Sequence, residues 1–582
     1  NDDILGDAYE YLMKNFASES GKSKGQFYTP SEVSRVIAKV IGISPENSKA
    51  NTTVYDPTCG SGSLLLKVAN EAGKQITLEG QEKDVTTGGL ARMNMILHDF
   101  PTANILTGNT MSSPKFLDGN NLRTYDYVVA NPPFSSKNWS TGINPNSDPY
   151  QRFTWGLPPP KQGDYAFLLH VIRSMKSTGK AACILPHGVL FRGNAEAVIR
   201  QQLVKSGFLR AIIGLPANLF YGTSIAACIL ILDKENSSAR KGIFMIDARN
   251  GFKKDGPKNC LREQDLHKII DVFTKSIDIA RYSRMVPLNE ITENKNNYNL
   301  NLTRYIDSSE HDDIQNIDGH LRGGIPEFDI DRLNNYWKVI PGVRNLLFES
   351  AGRTGFVKLK IPLVKLKTTI FQHPEFTAFN LSATNVFAKW KKDNIFQLND
   401  FGQKSRPTQL IKLLSENLLN KFKSIPLVDR YDLYQQLMDY WAETMQDDCY
   451  LIAGSGWKDG AQPYEVFKVK DKNNKLTWPK EPFDFTKGKR RFRSDLLPSN
   501  ILIDQYFISE RDNIELLKKN LSELELKLHD IMEENNNEEG LLFDVIEGEG
   551  DKKKITIKSI NARLKEITKD PNFTEENKAL QD

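Results

Sequence analysis

The residues best placed to do chemistry are Asn131-Pro132-Pro133-Phe134. The Asn131 amide oxygen is a hydrogen-bond acceptor. The main-chain carbonyl of Asn131 or Pro132 is a second, because a following proline has no N–H and blocks regular pairing. Two convergent acceptors bind an –NH₂ group. They also match the positive charge that develops on its nitrogen during alkylation, which is electrostatic preorganisation and needs no base. Phe134 offers a flat face on which a base rotated out of a duplex can stack. An Asn-Pro turn ending a strand is the plainer alternative. The full tetrapeptide, following a Gly loop and an acidic strand end, argues against it.

Three elements must position this chemistry. Tyr125 to Ala130 is a short, apolar, partly β-branched run, so it predicts a buried strand that stops at the prolines. Thr53-Val54-Tyr55 predicts a strand running into Asp56-Pro57-Thr58-Cys59-Gly60-Ser61-Gly62-Ser63 and a helix over Leu64–Ala72. A strand, a tight Gly loop and a helix start are how nucleotide-like cofactors are held, and Asp56 can bind an ammonium or a hydroxyl. Ile76 to Glu82 predicts the next strand, with Glu82 ~20 residues past the Gly loop, where a Rossmann-type acid meets a ribose hydroxyl pair. Capping of the following helix is the alternative role, and Asp84 can fill that. Cys59 has no His nearby in sequence to activate it and reads as a small loop residue.

The rest of the first half alternates in the same way. Helices are expected at Ile4–Phe16, from a Ser31 cap to about Ile41, and at Thr86–His98, Gly163–Lys176 and Asn194–Lys205. Strands are expected at Ala103–Leu106, Lys180–Pro186, Leu209–Leu215, Ser224–Leu232 and Gly242–Ile246. The sheet should be mostly parallel with helices on both faces, and the last strands should form an antiparallel hairpin at one edge. Ser135 to Gln162 is irregular and reads as a substrate-facing loop. Gly21-Lys22-Ser23 is not a phosphate loop, since Phe16 stands where that motif needs Gly.

Length and composition set limits. A chain of 582 residues is too long for one core, and 39% hydrophobic with 26% charged residues is ordinary for a globular protein. A net charge of +4 is modest for a protein that grips nucleic acid alone, so any such contact is patchy or shared with a partner. The five cysteines lie far apart without zinc-knuckle spacing, which points to a reduced, intracellular protein with no metal site. No apolar run approaches the ~20 residues of a membrane helix. The polar stretch Asp307 to Gly324 marks a domain boundary. Beyond it, Asp331–Trp337, Arg406–Lys423 and Leu427–Thr444 look helical, and the aromatics suit a separate core. Lys487, Lys489, Arg490, Arg491 and Arg493 form a basic run around Phe492, either a solvated face or a nucleic-acid or partner contact. Phe507, Ile514, Leu521 and Leu528 repeat every seven residues, with Leu517, Leu524 and Ile531 between them. Ile557, Ile560, Leu564 and Ile567 follow after an acidic connector, so an antiparallel helix pair is expected.

The motifs Asn131-Pro132-Pro133-Phe134 and Asp56 to Gly62 resemble those of S-adenosylmethionine-dependent adenine-N6 DNA methyltransferases in the gamma motif order. More narrowly, the chain resembles the modification subunit of type I restriction-modification systems. The further matching stretches are Gln26-Phe27-Tyr28-Thr29-Pro30, Gly80-Gln81-Glu82, Ala91 to Met95 and Tyr298 to Asn301. The resemblance is good to about Tyr305 and weaker afterwards. It implies an α/β fold with a Rossmann-like class I methyltransferase sheet, followed by a mixed, mainly α C-terminal region and a helical hairpin tail. It implies an N-terminal helix over 1–24 left from or leading to an absent helical domain, a methyltransferase domain over 25–310, an accessory region over 325–500 and a tail over 501–582 for subunit contact. It implies S-adenosylmethionine as cofactor, surrounded by Gln26, Phe27, Tyr28, Thr29, Pro30, Asp56, Thr58, Gly60, Ser61, Gly62, Ser63, Glu82 and Asn109. Asn131, Pro132, Pro133 and Phe134 would handle the target adenine. The implied partners are double-stranded DNA, a specificity subunit, a second copy of the modification subunit and a restriction motor-nuclease subunit, in the cytoplasm of a bacterium or archaeon. A self-sufficient methyltransferase that reads its target through 325–500 and a non-catalytic assembly scaffold are the alternatives.

Overall fold

The apolar runs between Thr53 and Pro287 pair into one nine-stranded sheet, whose inner strands are mostly buried and whose edge strands are partly exposed. The computed structural model describes residues 9, 11–13, 28–308, 315–470, 475–479, 483–535, 540–548, 554–568 and 570–581. Of the first expected helix, only Tyr9 and residues 11–13 are described, and they are helical. Gln26 and Phe27 lie outside the described residues.

Helix α1 is Ser31–Val40 and buries Val33, Val36, Ile37 and Val40, a one-sided stripe at helical spacing. Ser31 does not cap it. Pro30 holds the cap position and Ser31 is the first helical residue. The chain continues through β1 (Thr53–Asp56), α2 (Ser63–Ala72), β2 (Thr77–Glu82), α3 (Val85–Leu97), β3 (Asn104–Thr107), β4 (Tyr125–Ala130), α4 (Asp164–Arg173) and β5 (Met175–Pro186). Then come α5 (Asn194–Lys205), β6 (Leu209–Gly214), β7 (Ala227–Asp233), β8 (Gly242–Asp247), α6 (Glu263–Lys275) and β9 (Ser283–Pro287). The strand order is β9-β8-β6-β7-β5-β4-β1-β2-β3. All neighbours are parallel except at β7, antiparallel to β5 and β6, and at β9, antiparallel to β8. The fold is therefore α/β, with apolar clusters on both faces of the sheet. One contains side chains of α1, α2, α3 and α6, the other those of α4 and α5.

The hairpin expected at one edge is corrected by this order. β6 and β7 do pair, but β7 inserts between β5 and β6 in the middle of the sheet. The edge belongs to β9, reached through α6, a helix the sequence reading missed although Leu266, Ile269, Val272 and Phe273 recur at helical spacing on its buried face. The long segment after Phe134 is packed rather than loose. Trp139 and Phe153 meet edge to face at 5.5 Å, and Arg152 pairs with Asp148 at 2.6 Å, both side chains buried.

The described chain divides into two compact units, Asn1–Phe401 with Arg406–Gln446, and Gly402–Ser405 with Asp447–Asp582. The first unit contains helices α7 (Pro374–Asn399), α8 (Pro407–Lys421) and α9 (Arg430–Tyr440). They are fastened to the sheet through α6. The Gln264 N–H donates to Gln435 Oε1 at 3.1 Å, the Tyr431 hydroxyl to Asp271 at 3.2 Å, and His267 Nε2 lies 2.8 Å from Glu416.

The second unit carries a three-stranded antiparallel sheet of β10 (Tyr464–Val466), β11 (Phe485–Lys487) and β12 (Arg490–Arg493), in the order β10-β12-β11. A long helix, α10 (Ile508–Glu534), and a shorter one, α11 (Ile557–Ile567), follow. They do not form the expected seam. The heptad residues Phe507, Ile514, Leu517, Leu521, Leu524, Leu528 and Ile531 are 41–61% exposed. The apolar side chains of α11 gather instead with Val545, Phe573 and Leu580. Among the described residues no helix is long and apolar enough to cross a membrane.

Candidate active site

Strand register brings the site together. Asp56 lies beside Gly80, and Tyr55 beside Val128, so the carboxyl ends of β1, β2 and β4 finish within two residues of one another. Sheet order reverses between β1 and β4, and a crevice outside such a switch point is where open α/β sheets hold ligands. The crevice here has a volume of about 330 Å³. Pro57, Thr58, Glu82, Asn109, Asn131 and Pro133 are among its lining residues.

The loop after β1 is shaped by its glycines. Gly60 and Gly62 have φ of 54° and 80°, the left-handed region that side chains disfavour. A Cβ on Gly62 would lie 2.7 Å from Met95 Cε, so the loop also needs room there. Gly62 starts α2 without a side-chain cap. Glu82, at the end of β2, clasps the loop. Its carboxylate accepts from Gly60 N–H at 3.0 Å and from Asp84 N–H at 2.9 Å. Asp84, not Glu82, caps α3, accepting from Thr87 N–H at 2.8 Å.

Two acids thus end β1 and β2, and Glu82 lines the crevice. Asp56 is 1% exposed and accepts from Thr58 N–H at 2.9 Å. Burial pushes its pKa up to about 8, opposed by the Thr58 N–H and reinforced by the neighbouring Glu82. Glu82 is also raised, first by burial, while the N–H groups of Asp84 and Gly60 pull it down. Asp56 makes no ion pair among the described residues, so it lacks a cation where one would be most welcome.

On the other wall, β4 ends in Asn131. Asn131 Nδ2 donates to Thr29 Oγ1 at 2.9 Å. Among the described residues Oδ1 accepts no hydrogen bond, and it is not sealed away from solvent. Phe134 stands edge to face with Phe220, ring centroids 5.4 Å apart. The loop leaves through Ser135, whose φ is 49° and whose N–H donates to buried Asp164 at 2.7 Å. Arg192 holds the other Asp164 oxygen at 2.9 Å. An amide oxygen in this setting can receive an –NH₂ group while Thr29 keeps the amide from turning.

A family model for N-6 DNA methylase matches residues 1–314, more than half of the chain. The chain belongs to this family. It is 37% identical over 318 residues to the type I restriction enzyme MpnII methylase subunit of Mycoplasma pneumoniae, covering 53% of this chain and 57% of that protein. It is 35% identical over 341 residues to the MjaVII methylase subunit of Methanocaldococcus jannaschii, covering 56% of each. A solved methyltransferase subunit of the type I restriction-modification system of Streptococcus thermophilus matches at 36% identity and a TM-score of 0.47. That match covers 52% of this chain and 64% of the other. The chain spans a little over half the length of the curated relatives it matches.

The chain gathers most of the expected site residues and sets a few apart. Thr58, Glu82, Asn109, Asn131 and Pro133 share the crevice, with Gly60 bound to Glu82, while Asp56 is buried next to the crevice residues Pro57 and Thr58 and is not part of its lining. Thr29 reaches it through Asn131, while Tyr28 is buried against Tyr221 and Pro30 ends at α1. Ser61 and Ser63 turn inward, their hydroxyls 3.0 Å apart and both buried. Pro132 is buried below Asn131. Sequence reasoning missed Phe167 on α4 and Thr110, which also line the crevice. The Thr110 hydroxyl donates to the Pro57 carbonyl at 2.5 Å and ties the loops after β1 and β3 together. Phe167 follows Asp164 by one helical turn, so the Asp164 link to Ser135 was the available signal.

Proposed function

We propose that this chain transfers a methyl group from S-adenosylmethionine to the N6 amine of adenine in double-stranded DNA, as the modification subunit of a type I restriction-modification complex. The observation that carries the reading is the Asn131 amide, held by Thr29 with its oxygen open, in one crevice with Glu82 and with Thr58, whose N–H the buried Asp56 accepts from. When bound, S-adenosylmethionine supplies a positively charged sulfonium bearing the methyl group. The residues present fit that cofactor. Asp56 is a buried acid without a cation, Glu82 keeps lone pairs beyond its two backbone contacts, and the left-handed Gly60 and Gly62 bring the main chain close. Thr58 and Asn109 complete the wall.

Asn131 Oδ1 and a main-chain carbonyl of the Pro-Pro turn would accept from the adenine amine and favour the charge that grows on its nitrogen. The amine proton can leave after attack, so no strong base is required. Phe134 would stack on the extruded base. A separate specificity subunit would read the DNA sequence, a second copy would complete the modifying assembly, and a motor-nuclease subunit would add restriction, all in the cytoplasm. The tail over 501–582 is the part we assign to subunit contact.

The deciding experiment is transfer of labelled methyl groups to unmethylated duplex DNA, with and without the specificity subunit. Asn131→Ala should lower transfer by about 10²–10³-fold or more, with S-adenosylmethionine binding intact by calorimetry. Full transfer by that variant would remove Asn131 from the reaction.

A further inference from the structure

The chain's formal net charge is +4, and residues 483–493 alone hold five Lys and Arg against one Asp, so the remainder of the chain is neutral. These residues form the hairpin of β11 and β12. Lys487 pairs directly across from Arg490, joined by the turn Gly488-Lys489, with Gly488 at φ 66°. Two like charges placed opposite each other on adjacent strands oppose folding. Nothing within the hairpin offsets that cost. Among the described residues neither Lys487 nor Lys489 makes an ion pair, and Arg490 reaches Glu465 only at 3.5 Å while staying 70% exposed.

The scaffold beneath these charges is stiff. Phe485 and Phe492, a cross-strand pair, stack with centroids 5.3 Å apart and planes 11° from parallel. Arg491 lies over Trp478 at 4.1 Å and Phe483 at 4.4 Å, contacts that fix a guanidinium without neutralising it. The hairpin's single acid faces backwards. Asp484 accepts from Ser494 N–H at 2.7 Å and Ser499 N–H at 2.8 Å. A stiff three-stranded sheet that carries Lys487, Lys489 and the mostly exposed Arg490 at one hairpin tip presents the charge that duplex phosphates attract.

We propose that the tip of the Phe485–Arg493 hairpin is a duplex-DNA contact, a phosphate-binding patch separate from the methyl-transfer crevice. The proposed function supports only the choice of duplex DNA over other polyanions. Binding is measured without methyl donor, so failure here and failure of methyl transfer are read separately.

The test titrates the full chain with a random-sequence duplex over a range of KCl concentrations. It compares wild type, the triple variant Lys487→Ala/Lys489→Ala/Arg490→Ala, and a control, Lys518→Ala/Lys519→Ala/Lys527→Ala, on exposed α10. The hairpin variant should bind at least about tenfold more weakly at low salt, with the log–log salt slope reduced by about 2–3. Its thermal midpoint should not fall, because the removed charges support no packing. The control should match wild type. An unchanged slope in the hairpin variant overturns the proposal, as does an equal loss in the control. Hairpin-dependent preference for single-stranded RNA or polyglutamate over the duplex also overturns it.

Discussion

Asn131 Nδ2 donates to Thr29 Oγ1 at 2.9 Å, across 102 residues of sequence. That bond joins the first motif of the chain to the loop after β4 and decides which end of the amide faces the crevice. Thr29 is therefore a positioning residue. Thr29→Val should lower kcat by about 10–100-fold and leave S-adenosylmethionine affinity unchanged, while Thr29→Ser restores most of the rate. A Val variant that keeps its kcat, or a Ser variant no better than Val, would show that the amide is held by other means.

Asp56 gives the site a pH signature. Its folded pKa of about 8 lies above the ordinary 3.8, so the folded state holds the proton more tightly than the unfolded chain. The stability it contributes is complete below about pH 4 and is lost as pH rises toward about 8. Asp56→Asn should flatten that decline in thermal midpoint between about pH 5 and pH 8. A cationic cofactor prefers the ionised acid, so its affinity should rise about tenfold per pH unit and level off near pH 8. Calorimetry at neutral pH in buffers of different ionisation enthalpy should show a proton released on binding. Absence of that release would place the cation away from Asp56.

Glu82 acts through the loop it clasps as well as through any ligand. Glu82→Ala removes the acceptor for both Gly60 N–H and Asp84 N–H. Two charge-assisted bonds to backbone are worth about 3 kcal/mol or more together, so cofactor affinity should fall by about 150-fold or more. Glu82→Gln keeps one acceptor and should fall between. An Ala variant with wild-type affinity would mean that the Gly60–Gly62 loop holds its shape without the acid.

The crevice was legible because its residues sit at strand ends, and strand ends are marked by composition. Asp56 and Asn131 each follow an apolar run, and the turns after them are spelled out by Gly and Pro, while Glu82 was placed by its distance from the Gly loop. Partners that come from far away left no such mark. Nothing in Gln264 or His267 announces Gln435 or Glu416, so 325–500 read as a separate core, whereas α8 and α9 hydrogen-bond to α6. β7 misled for a related reason. Its composition says buried strand, but only the assembled sheet says that it enters between β5 and β6. In the tail, periodicity foretold the long helix α10 and failed to say what would cover it.

That uncovered stripe yields the last prediction. Leu517, Leu521 and Leu524 of α10 are 56–61% exposed. A heptad seam this regular, left in water, costs the lone chain the hydrophobic gain for which the pattern is suited. Leu517→Glu/Leu524→Glu removes no buried contact, so the thermal midpoint of the isolated chain should change by no more than the equivalent of about 0.5 kcal/mol. If the tail is the subunit contact, the same variant should lose co-purification with the specificity subunit, while a Lys518→Ala/Lys527→Ala variant on the polar positions retains it. Loss of midpoint in the isolated chain would show that the stripe packs within the molecule. Retained assembly with an unchanged midpoint would move the subunit contact off α10.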